Sequence, residues 1–184
     1  MKFPRVVIGS IVALALIVVF GVLRSGFLGH RGEENKFSPE AITALEAPDS
    51  FYLYSLNPVP VAFKSQPSNS ASGSTNEIQK TEMFHGFEIL GRAEIVDTNE
   101  RKELVEVLKK GVAEGKKWEP LACFDPRHGI RAVKGGTKVD LVICFVCLTI
   151  MEVINTDRWF RVSHKPNKRF NEALKRANLP LASE

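Results

Sequence analysis

Cysteine is scarce in this chain. It occurs three times in 184 residues, an odd count, so at most one internal pair can form and at least one thiol is left over. Charge of one sign is also lacking. A net charge of +4 supports solubility or weak attraction to anionic surfaces. A nucleic-acid binder more often shows a stronger bias, so no nucleic-acid partner is expected. Catalytic signatures are missing as well: there is no Gly-x-Ser-x-Gly, no His-Glu-x-x-His and no phosphate-cradling glycine loop. The motifs therefore name no enzyme. No internal repeat occurs. Hydrophobic content of 44% and charged content of 25% exclude a wholly disordered chain. The length suggests one domain with an appendage.

What is present starts with a short basic tail, Met1 to Arg5, carrying Lys2 and Arg5. Val6 to Leu23 is then an unbroken run of apolar and small residues. At ~1.5 Å per residue it spans most of a ~30 Å hydrocarbon core, so it reads as a transmembrane helix. A cleaved signal peptide would have a shorter apolar core followed by a small-x-small site. Here Ala13-Leu14-Ala15 lies inside the run, and only Gly21, Ser25 and Gly26 stand near its end. No cysteine follows the run, which excludes a lipobox anchor. Lys2 and Arg5 nearly balance Arg24, Arg31 and Lys36 under the positive-inside rule. Because very short basic tails usually stay in the cytoplasm, we expect a single-pass plasma-membrane protein: residues 1–5 cytoplasmic, 6–23 spanning, and the C-terminal domain outside.

Residues 24–47 read as a polar stalk with a short helix, capped by Ser38 with Pro39 at its first position. Ser50 to Leu56 is a strand. The polar, low-complexity stretch at about 64–80 is expected to be a disordered loop. Phe87 to Ile95 is a second strand. Asp97 and Glu100 form a capping box, and Leu104, Val107, Leu108 and Val112 share one helix face until Gly115. Strands follow at Gly129 to Val133 and from Lys138 to Phe145, with an expected continuation to Val153. Trp159 to Val162 is a further strand candidate. A closing helix, Asn167 to Ala177, turns Phe170, Ala173 and Leu174 inward. Val139 to Val153 is too short for a second membrane span and carries Asp140 and Glu152. The expected fold is α+β: an N-terminal transmembrane helix, then a small antiparallel sheet with about two packed helices over residues 48–180.

Gly135-Gly136 marks a hairpin turn. That register sets Arg131 opposite Asp140, a structural charge pair, and Gly129 opposite Val142. Val139, Leu141, Ile143, Phe145 and Cys147 then share an apolar face with His128 and Ile130. Arg127 is a corner residue beside Cys144. The hairpin gathers Cys123, Arg127, His128, Cys144 and Cys147 at one end.

Four readings of this cluster compete. Buried structural thiols come first, because cysteine is among the most buried residue types. A zinc-like site would use Cys123, His128, Cys144 and Cys147. A disulfide would join Cys123 to Cys144 or Cys147. A reactive thiol would be helped by Arg127 or His128. In a straight strand, residues three apart point to opposite faces with their α-carbons ~10 Å apart. A bend at Phe145-Val146 therefore decides whether Cys144 and Cys147 can act together. No cofactor is expected, and zinc is the one that this ligand set admits. His85 and His164 look like solvent-facing loop residues, and His30 belongs to the stalk. The basic stretch from Arg158 to Arg176 reads first as a solvated face, and second as a surface for anionic lipid or an envelope polymer.

The run Cys123-Phe-Asp-Pro-Arg-His-Gly-Ile130, with Lys138-Val-Asp-Leu-Val-Ile-Cys-Phe-Val-Cys147, resembles a group of uncharacterised bacterial proteins. They share a Cys-Phe-x-Pro-Arg-His-Gly and Ile-Cys-Phe-x-Cys core, often behind a signal or membrane segment. The resemblance covers roughly residues 84–153, about one small domain. It implies a bacterial cell-envelope protein and no particular activity.

Overall fold

The computed structural model describes residues 35–59, 81–115 and 123–182. The tail at 1–5, the helix at 6–23, the first part of the stalk and the loop at 64–80 lie outside them. No helix among the described residues is long and apolar enough to cross a membrane.

Seven antiparallel strands form one sheet. In chain order they are β1 (Ser50–Leu56), β2 (Met83–Phe84), β3 (Phe87–Glu94), β4 (His128–Lys134), β5 (Thr137–Cys144), β6 (Thr149–Val153) and β7 (Asp157–Arg161). Their order across the sheet is β2-β3-β1-β4-β5-β6-β7. Three helices accompany it: α1 (Pro39–Glu46), α2 (Thr98–Ala113) and α3 (Asn167–Arg176). The α+β class agrees with expectation, with one helix more than expected.

The extra helix is α1, assigned above to the stalk. Ser38 does cap it, accepting from the Ala41 N–H at 3.1 Å. But Ala41, Ala44 and Leu45 form a stripe at helical spacing, and all three are buried against the sheet. Such a stripe is stable only when covered, so α1 belongs to the core. The compact unit accordingly starts at Asn35. Asn35 donates its amide to the carbonyls of Val112 and Arg161, tying the start of the unit to α2 and β7.

The sheet buries both faces unequally. The helix-covered face carries Phe51, Leu53, Ile130, Leu141, Ile143 and Ile150 against Leu104, Leu108 and Phe170. The opposite face has a smaller cluster of Tyr54, Leu56, Phe84, Phe87, Val142 and Met151. β4 and β5 are buried along most of their length on both sides, as central strands must be. Their register sets His128 opposite Ile143 and Arg131 opposite Asp140, as the Gly135-Gly136 turn implies.

The expected run through to Val153 does not occur. β5 ends at Cys144, and β6 returns antiparallel with Thr149 opposite Cys144. The reversal takes residues Phe145 to Leu148, with Leu148 at a φ of 53°. Two strand-forming residues at Phe145-Val146 are overridden because a four-residue loop lets β6 pair with the buried centre of the sheet.

Candidate functional site

The β5–β6 reversal is the bend on which the cysteine cluster depended. It carries Cys147 back toward Cys144, so that the Cys147 N–H donates to Cys144 Sγ at 2.9 Å. Thr149 holds the loop from below, its hydroxyl donating to the Cys147 carbonyl at 2.8 Å. Arg161 on β7 adds donors to Thr149 Oγ1 and to the same carbonyl. Both sulfurs are buried.

The third thiol arrives from the segment preceding β4. Cys123 is exposed, and its Sγ lies 2.9 Å from Cys147 Sγ. The Asp125 N–H points at Cys147 Sγ at 3.4 Å. This segment is fixed by Phe124, whose ring packs edge-on against Trp159 at 4.8 Å and Phe87 at 6.0 Å. The Arg127 carbonyl also accepts from the Leu56 N–H at 3.0 Å. Ligand atoms of Cys123, Asp125 and Cys147 all lie within 4.8 Å of one another.

Two thiols titrate high. The contact with Cys147 pushes Cys123 up, with burial adding to it. Burial pushes Cys147 up, and a hydrogen bond with Cys144 adds to that against the lowering effect of Cys123 and the Asp125 N–H. Both are therefore protonated at neutral pH. This opposes a thiolate nucleophile, which needs a lowered value.

His128 does not join the sulfurs, which corrects the zinc-like set of Cys123, His128, Cys144 and Cys147. Its ring lies on the helix-covered face with Ile130, against Phe145 at 5.2 Å and Phe170 at 5.8 Å. The neutral ring donates Nε2–H to Asn171 Oδ1 at 2.8 Å. Burial holds its pKa down to about 4, with Arg127 adding to that against the Asn171 bond. The cause is the β pleat: His128 and Cys144 sit at positions of opposite parity on paired strands. Asp125 takes the place of His128 in the cluster. The only sequence signal for it was a carboxylate two residues after a cysteine, held by Pro126.

Arg131 and Asp140 pair as expected, joined by His85. His85 is exposed in the β2–β3 turn, as expected of a solvent-facing loop residue, and its Nε2 also meets Asp140 Oδ2 at 2.8 Å. Arg131 also stacks over Phe84 at 5.3 Å. Asp140 is 1% exposed. Burial pushes its carboxyl up, but the bonds from Arg131 and His85 outweigh that and leave it lowered. Arg127 lies apart, with its buried Nε unpartnered among the described residues.

Three residues of the basic C-terminal stretch pair with acidic residues of α2 and its C-cap, and Arg158 pairs with Glu152 of β6. Arg169 pairs with Glu103 at 2.7 Å, Arg176 with Glu100 at 2.8 Å, and Lys165 with Glu114 at 3.1 Å. These pairs draw α3 onto α2.

The chain matches no protein-family model, no curated protein and no solved structure.

Proposed function

We propose that this chain is a single-pass bacterial membrane protein whose extracytoplasmic α+β domain binds a soft divalent ion of the zinc class through Cys123, Asp125 and Cys147. The apolar run Val6 to Leu23 and the resemblance of the cysteine core to envelope proteins support the tether and the compartment. The observation that carries the metal reading is the convergence of Cys123, Asp125 and Cys147, whose ligand atoms lie within 4.8 Å of one another beside the turn at Cys144–Cys147. There, backbone N–H groups of Cys147 and Asp125 point at the sulfurs. N–H donors aimed at sulfur stabilise thiolate, the ligand form, and metal knuckles place Cys-x-x-Cys in such turns. Two sulfurs and one carboxylate suit a tetrahedral zinc-class ion in type and supply three of its four positions. Cys123 is exposed and can adjust its distance to Cys147 cheaply. The ion would fasten the segment before β4 to the β5–β6 hairpin, so the module is a binding or structural one rather than an enzyme.

Metal analysis of the full chain, purified under reducing conditions, tests the proposal. One equivalent of zinc that is lost in Cys147→Ser and in Cys123→Ser supports it. A metal-free protein that takes up no added zinc overturns it.

The 2.9 Å contact between Cys123 and Cys147 favours a second reading, a disulfide. Closing to a bond needs a further approach of about 0.9 Å. Exchange with a partner disulfide would oxidise the pair and release two thiols on the partner. Thiol counting without reductant separates the two: one free thiol after denaturation indicates the disulfide, three indicate the metal-ready form.

A further inference from the structure

A cavity of about 140 Å³ opens beside the thiol cluster, between the segment before β4 and helix α3. Its polar wall is Arg127, His128, Asn167 and Asn171, and its apolar wall includes Phe145 and Leu174. We propose that this cavity binds a short-chain organic monocarboxylate, with the Arg127 guanidinium gripping the carboxylate and the Phe145–Leu174 wall receiving the alkyl tail.

Arg127 carries the argument. Its Nε is buried and has no hydrogen-bond partner among the described residues. The buried Nε offers no surface to the cavity, so the grip is end-on: Arg127 lines the cavity, and the two terminal nitrogens of its permanently charged, planar guanidinium match a carboxylate through paired bonds. His128 does not compete as a second cation, since burial keeps its ring neutral. Its Nε2–H is already given to Asn171.

Size and wall chemistry narrow the ligand. A cavity of about 150 Å³ admits a benzene-sized guest, about six non-hydrogen atoms. Butyrate has that size. Inorganic phosphate would fill the polar end but leave the apolar wall bare. Asp125 also lines the cavity and is exposed, and its negative charge repels a dianion more than a monoanion. The site is separate from the metal reading, though Asp125 borders both.

Calorimetric titration of the full chain with butyrate tests this, with n-butanol and inorganic phosphate as probes lacking the charge or the tail. Saturable butyrate binding is expected, at least about tenfold tighter than either control, with a loss of about tenfold or more in Arg127→Gln. Absence of saturable butyrate binding, equal binding of n-butanol or phosphate, or an unchanged Arg127→Gln overturns the proposal. Should Arg127→Gln fail to fold, Arg127→Lys decides: it keeps the charge and loses the paired bonds, so binding weakened by about tenfold supports the site, and unchanged binding overturns it.

Discussion

Arg131 clamps Asp140 through two parallel hydrogen bonds, Nε to Oδ1 at 2.8 Å and Nη2 to Oδ2 at 2.7 Å. The two partners are not equally buried: Asp140 is 1% exposed at its side chain and Arg131 31%. Losing one partner of a buried pair strands the other, so the cost depends on which charge is left behind. Arg131→Met leaves Asp140 with His85 alone and should cost about 3 kcal/mol. Asp140→Asn leaves a cation that reaches solvent and should cost less. Urea denaturation of the two variants checks the order. Because the Asp140 value is lowered on folding, its contribution is present above the ordinary carboxylate range. It fades as pH falls through the folded value.

His128 gives a separate pH window. Its ordinary value of 6.5 falls to about 4 in the folded chain. The unfolded chain therefore takes up a proton that the folded chain refuses. Stability is full above pH 6.5 and declines as pH falls toward 4, by about 3 kcal/mol in all. His128→Gln keeps an amide for Asn171 and removes the titration. Guanidinium denaturation at pH 7, 6 and 5 should show a slope in the parent chain and a flatter one in the variant.

Metal uptake should rise steeply with pH. Cys123 and Cys147 both titrate above the ordinary thiol value, so zinc must displace two protons from them near neutral pH. Each displaced proton changes affinity by about tenfold per pH unit, or about a hundredfold for two. Competition against a zinc-chelating dye from pH 6 to 8 measures the slope. A pH-independent affinity would show that these sulfurs are not the ligands.

Legibility in the sequence followed the range of the interactions. The β4–β5 register was readable because Gly135-Gly136 is a local turn signal and Arg131–Asp140 a cross-strand pair nine residues apart. The face of His128 was readable from the same pleat. The β5–β6 reversal was not: Phe145-Val146 favours a strand, and what bends the chain is the pairing of Thr149 with Cys144 and the Arg161 donors from β7. The His85–Asp140 contact was missed for a similar reason. The short β2–β3 turn carries it onto Asp140, 55 residues away, and no local pattern announces that. α1 was mistaken for stalk because an eight-residue helix gives little amphipathic signal until the sheet beneath it is known.

Gly111 separates local propensity from packing. It sits inside α2, where exchange for alanine would ordinarily stabilise by about 1 kcal/mol. Here an added Cβ would lie 2.6 Å from Pro166 Cγ and 3.1 Å from Val162 Cγ2. Pro166 is a buried ring that cannot rotate aside, and the next bond pins it further: the Ser163 N–H donates to the Gly111 carbonyl at 2.8 Å. Relief requires moving the β7–α3 connection away from α2. Overpacking of this kind costs about 1–3 kcal/mol, which exceeds the gain in propensity. Gly111→Ala should therefore lower the thermal midpoint, and the fall should be smaller when Pro166→Ala is added to make room. A Gly111→Ala chain as stable as the parent would show that α2 and the β7–α3 connection are not packed at this distance.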